Sequence, residues 1–228
     1  MRKWTGLITV ALALGLLTST AASGAGNKKV SQPTPPHTPP QTPQEAGKAA
    51  YNSGLEHRDK AWSFEDKAKA ANSDAEREKL LAKAQKQYEK AIPLFETATE
   101  NIPEFHQAFS SLGYALRKTG RHAEALEAYD RALTLAPFYV EAIEYRAEAY
   151  LGLGRLDDAK EAYMLLFTGH REHADQLMAA MKTWLEDRRA DPAGMSSETL
   201  DAFAAWIEER GEIAEQTAQL SHAAAKTW

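Results

Sequence analysis

Residues 103–137 read PEFHQAFSSLGYALRKTGRHAEALEAYDRALTLAP. Phe109, Leu112, Gly113 and Leu116 recur there at helical spacing, and Ala125, Tyr129, Ala132 and Leu133 form a second stripe of the same kind. Between the stripes stands Thr119-Gly120-Arg121, where glycine permits a tight turn. The pattern predicts two short helices folded against each other as a hairpin, each too small to keep its apolar stripe dry alone.

The pattern recurs along the chain. A forward step of about 34 residues takes Gly120 to Gly154, Ala125 to Ala159 and Tyr129 to Tyr163. The same step backward takes Ala125 to Ala91, Tyr129 to Phe95, Ala132 to Ala98 and Pro137 to Pro103. A small residue against a large one at a constant interval is what stacked hairpins require, because each interface repeats the same contact. The stretch resembles the tetratricopeptide repeat, whose signature is W-x2-L-G-x2-Y, then A-x3-F, then P. Here Phe109 stands for the Trp, Leu116 for the Tyr and Tyr129 for the Phe. The resemblance implies an all-α fold: a short right-handed superhelix of antiparallel hairpins, covering residues 45–171.

Three repeats are expected, at 45–102, 103–139 and 140–171. The first is longer by about 25 residues if Gly54 matches Gly113. A helix from Ala46 to Ala71 would span ~39 Å, so its tip should project beyond the stack. Asn72-Ser73-Asp74 breaks it, and Ser73 with Glu76 makes a capping box for the next helix, in which Pro93 predicts a kink. The third repeat is looser: Arg146 replaces the usual Leu, and Arg171 stands where the closing Pro would be. Residues 172–228 are expected to cap the solenoid, with a helix from His170 to Arg189, a breaker at Asp191-Pro192-Ala193-Gly194, and two further helices, one capped by Ser197 and one after Gly211. A degenerate fourth repeat is the alternative.

The chain starts differently. Arg2 and Lys3 precede an uncharged apolar run from Leu7 to Leu17 and a small-residue tail, the layout of a secretory signal peptide over 1–25, with cleavage after Ala22 or Ala25. An uncleaved anchor in an inner membrane is the alternative. Residues 26–44 hold six of the ten prolines and read as an extended, disordered spacer. Removing the signal leaves 25 basic against 32 acidic side chains, a formal charge of −7, which argues against a nucleic-acid partner. The chain has no cysteine, which excludes disulfides, thiolate catalysis and a cysteine-linked lipid anchor. The expected location is a bacterial periplasm or beyond.

No phosphate loop, nucleophile elbow or acid–base constellation is present in the sequence, so no enzyme activity and no cofactor are expected. His170 and His173 share a helix face but lack a third metal ligand, and are expected to be solvated. His57, His106, His122 and His222 are scattered, and Trp62, Trp184 and Trp206 are expected in the core, with Trp228 near a frayed end.

In the family, the first helix of each hairpin lines a concave groove that holds peptides or partner helices. Carried onto this sequence, the groove consists of Lys48, Tyr51, Asn52 and Arg58 from the first repeat. The second supplies Gln107, Ser110, Ser111, Tyr114, Arg117 and Lys118, and the third Glu141, Glu144, Tyr145 and Glu148. These predict a groove basic at one end and acidic at the other, in which reversing Glu144 and Glu148 to Lys weakens binding without lowering the melting temperature. The Lys, Asn and Arg set with which some members clamp a terminal carboxylate is absent. The function expected is an exported, non-catalytic scaffold or adaptor that binds a protein partner. The alternative is a self-associating subunit, a homo-oligomer built through the long first hairpin.

Overall fold

The structure is a computed structural model that describes residues 42–225, with side chains to 220. The signal segment, the cleavage positions, most of the proline-rich stretch, the His222 side chain and Trp228 lie outside the described residues. Among the described residues eight helices follow in order: α1 (Pro43–Lys69), α2 (Asp74–Asn101), α3 (His106–Lys118), α4 (His122–Leu135), α5 (Val140–Gly152), α6 (Leu156–Gly169), α7 (Arg171–Ala190) and α8 (Ser197–Ala225). Among the described residues there are no strands. This is an all-α tetratricopeptide-type stack, each helix packed on its neighbours in the chain.

The recurring small-to-large contact is what holds it. Ala91, Ala125 and Ala159 are each 0% exposed, and Tyr88, Phe95, Tyr129 and Tyr163 are the large side chains buried nearby. A Cβ added at Gly54 would lie 2.5 Å from the Phe95 ring, and one at Gly113 2.7 Å from Tyr129. Only a residue without a side chain lets those helices approach so closely. Ala147 and Tyr163 take the corresponding places in the third hairpin and share one buried cluster. The turns are closed by Gly120 (φ 80°) and Gly154 (φ 69°), a left-handed conformation that other residues adopt at a cost.

Helix ends show where local chemistry differs from expectation. The proline-rich stretch does not run to Gln44: Pro43 opens α1, where its missing N–H is not needed and its fixed φ suits a first turn. Thr42 Oγ1 accepts from the Glu45 N–H at 3.2 Å while the Glu45 carboxylate accepts from the Thr42 N–H at 2.9 Å, a reciprocal capping box. The break after α1 spans residues 70–73, and Ser73 Oγ accepts from the Glu76 N–H. Ser196, not Ser197, caps α8, through the Thr199 N–H at 3.2 Å. Gly211 does not divide α8, which runs through it unbroken. A lone glycine costs a helix interior only about 1 kcal/mol, too little to end this one. Pro93 lies within α2, which continues on both sides of it.

The repeat contact extends one hairpin further than the sequence pattern shows. Tyr139, at the start of α5, reaches back to Ser110 of α3. One repeat later His173, at the start of α7, reaches back to Glu144 of α5. Leu177 and Met181 are fully buried where Ile143 and Ala147 sit in α5, so α7 takes the place of a first helix and α8 covers the end through Leu200, Phe203 and Ile207.

Candidate protein-binding groove

The odd-numbered helices share one face, and its aromatic residues form a continuous ladder. From α1, the Trp62 indole N–H donates to the Tyr114 hydroxyl of α3 at 2.8 Å, with ring centroids 6.0 Å apart. Tyr114 in turn meets Tyr145 of α5 edge-on at 5.0 Å. Guanidinium groups lie over these rings: Arg58 sits 4.1 Å above Trp62, and Arg117 lies 5.1 Å from Tyr114 and 5.5 Å from Tyr145. Tyr51 packs at 4.6 Å on Phe105, just before α3. Such rigid aromatic and arginine surface is what protein interfaces use as anchors.

The charges do not separate along this face as the sequence implied. Arg117 Nη1 donates to Glu148 Oε2 at 2.5 Å across α3 and α5, and Lys118 pairs with Glu65 of α1 at 2.6 Å. Burial works against the Arg117 cation, but Glu148, Tyr129 and Tyr114 together outweigh it and raise its pKa. Basic and acidic side chains therefore neutralise each other between hairpins. Long side chains at facing positions of adjacent parallel helices meet, and a sequence read one helix at a time does not show this.

Two of the sequence-derived positions are not open to a partner. Ser110 and Glu144 are both 4% exposed. Glu144 is held by His173 Nδ1 at 2.5 Å, and turning the Gln176 amide lets its NH2 donate to both carboxylate oxygens. Burial raises the Glu144 pKa, opposed by the hydrogen bond from His173. Reversing this residue to Lys would therefore destroy a packed contact, so the expectation of an unchanged melting temperature fails for Glu144. His173 is likewise half-buried and engaged rather than solvated, whereas His170 is exposed. Among the described residues no three His, Cys, Asp or Glu side chains are placed to hold a metal ion.

The remaining positions fall into two groups. Tyr51, Arg58, Gln107, Ser111, Tyr114, Arg117, Lys118, Glu141, Tyr145 and Glu148 are half-buried along the face, and Lys48 and Asn52 are exposed at its α1 edge. Burial pushes the Tyr145 hydroxyl up to about 12 and also raises that of Tyr139, so both stay neutral hydrogen-bonding groups. The sequence reading missed Trp62, Glu65 and Tyr139. Trp62 is 37% exposed rather than core, since it lies on the open face of α1, where its indole meets Tyr114.

Residues 80–140 match the family model described as tetratricopeptide repeat. That stretch carries tetratricopeptide repeats. The match runs from α2 to the first residue of α5, so it includes the complete second hairpin and Tyr114 and Arg117 of the ladder. Two curated relatives, each named peroxisomal targeting signal receptor, align with part of it. The one from Kluyveromyces lactis is 31% identical over 87 residues, 38% of this chain. That from Candida glabrata is 30% identical over 91 residues, 40% of this chain. The aligned region spans 15% of the length of each relative. Tetratricopeptide repeats point to protein–protein interaction, and a protein or peptide is the class of partner they take.

Proposed function

We propose that this protein is an exported, non-catalytic adaptor that binds a segment of a protein partner along the face of α1, α3 and α5. The observation that carries the reading is the ladder Trp62–Tyr114–Tyr145 with Arg58 and Arg117 laid over it. Its affinity comes from aromatic and guanidinium contacts, and the paired charges set orientation. The two relatives are named as receptors for a targeting signal, which is in keeping with a peptide-like ligand. Export to a bacterial envelope rests on the amino-terminal sequence, Arg2 and Lys3 before Leu7–Leu17. Among the described residues no helix is long and apolar enough to cross a membrane.

A photoreactive residue at Asn52 or Gln107, irradiated in the protein's own cells, tests the groove. Adducts that disappear in the Tyr145→Ala background are expected. Equal adducts from a photoreactive residue at Glu161, exposed on α6, would refute the assignment. Export is tested separately by the amino-terminal residue of the protein recovered outside the cytoplasm, expected just after Ala22 or Ala25. Recovery only with Met1 intact in the cytosol would refute it.

A further inference from the structure

By the up-and-down topology, α3, α5 and α7 run in the same direction, but they do not end together. Counted from the matching buried positions Gly113, Ala147 and Met181, α3 and α5 stop at Lys118 and Gly152, whereas α7 continues to Ala190. It overshoots by about four residues, or ~6 Å. The overhang and the loop behind it wall a cavity of about 810 Å³ above the turn between α5 and α6.

The cavity continues the ladder, since its floor is the Arg117–Glu148 pair. Trp184, Met195 and Leu153 supply apolar wall. Among the charged groups lining it, Arg117 and Glu148 cancel at 2.5 Å, and Asp187 is exposed. Arg188 differs from these. It is half-buried and makes no hydrogen bond or ion pair among the described residues; its Nε, like that of Arg117, is enclosed without an acceptor, but Arg117 has Glu148 and Arg188 has no carboxylate. A half-buried guanidinium without an acidic partner, beside an apolar wall, leaves its outer N–H groups for an anionic oxygen that enters the cavity.

We propose that this cavity receives a carboxylate carried beside an apolar side chain, the anchoring residue of the segment that lies on the groove. The proposal rests on the groove reading for the identity of the ligand, but the cavity's chemistry can be tested without a partner. Arg188 meets the carboxylate while Trp184 and Met195 cover the apolar body. The carboxylate can be a chain terminus or an acidic side chain.

The test uses the mature protein and three small probes: N-acetyl-leucine, N-acetyl-glutamate α-amide and, as a neutral control, N-acetyl-leucine amide. The Arg188 Nε–H and Met195 methyl resonances are followed by NMR during titration. A ligand of this size reaches a dissociation constant on the order of millimolar. One or both carboxylates should shift both resonances. N-acetyl-leucine responding alone assigns a chain terminus, and N-acetyl-glutamate α-amide responding alone an acidic side chain. Arg188→Gln should weaken binding about tenfold or more, with an unchanged circular dichroism spectrum, and Arg188→Lys should weaken it less. Carboxylates that leave both resonances unmoved at tens of millimolar would overturn the proposal, as would an amide that binds equally well. Failure of the probes while Tyr145→Ala still abolishes crosslinking would remove the cavity and leave the groove standing.

Discussion

Gly113→Ala is the most direct probe of the packing. The added methyl would lie 2.7 Å from Tyr129 Cε1 and 2.9 Å from Cζ, and Tyr129 is 0% exposed, so its ring has no free space to move into. Forcing a methyl into a filled core costs about 1–3 kcal/mol. Against this, alanine is better than glycine in a helix by about 0.5–1 kcal/mol. The net expectation is a loss of up to about 2.5 kcal/mol. For a folded region of this size, each kcal/mol moves the melting temperature by about 2–4 °C, so a fall of up to about 10 °C should follow. Gly211→Ala supplies the contrast. It lies within α8 with nothing within 4 Å of the added methyl, so only the helix gain of about 0.5–1 kcal/mol applies and the melting temperature should rise. Thermal melts of the two variants by circular dichroism, run beside the parent, decide the matter by sign. If Gly113→Ala stabilises as Gly211→Ala does, glycine is not there for close approach, and the account of why these hairpins stack falls with it.

Other perturbations have equally definite outcomes. Glu144→Lys should cost several kcal/mol, about 3–5 by analogy with broken buried pairs, while Glu148→Lys should cost less; denaturant titration of both variants checks the order. Burial raises the Glu144 pKa in the folded state, so the fold binds its proton more tightly than the unfolded chain does. Its contribution is fully present below the ordinary carboxylate pKa of about 4.5 and is lost as pH rises through the elevated folded value. Glu144→Gln should remove that slope, and an identical pH dependence in parent and variant, measured by melting from pH 4 to 8, would contradict it. Ser196→Ala removes the cap of α8 and should cost about 1 kcal/mol, seen first as faster amide exchange in its first turn. Tyr114→Phe deletes the acceptor for the Trp62 indole and should red-shift and broaden tryptophan emission with little change in helicity.

The scaffold was legible because its determinants are local and periodic. Ala91, Ala125 and Ala159 mark the interior, and Gly120 and Gly154 mark turns, each from composition at a fixed interval. The site was legible only as a face. A first-helix position could be assigned to Tyr114, Arg117, Tyr145 and Glu148 by counting, but which of them meet across helices depends on how far adjacent helices are shifted. The first helix hid most, because Trp62 and Glu65 have no counterpart in the shorter repeats. Glu144 was misjudged for a related reason: its partner His173 belongs to α7, whose place in the series a missing proline and a degenerate sequence had concealed. The cap of α8 and the start of α1 were displaced by one to three residues, within the range over which competing Ser, Thr and Pro residues can trade roles.

The matching contacts Ser110–Tyr139 and Glu144–His173 occupy equivalent joints of the array but differ in kind. A stack of hairpins flexes at its joints, and the first of these is a hydroxyl contact indifferent to acidity near neutral pH. The second is held by a carboxylate whose pKa burial raises, so its contribution to stability depends on acidity. Equivalent joints of one array are thus fastened by different chemistry, and of these two only the Glu144–His173 joint is built on a buried carboxylate.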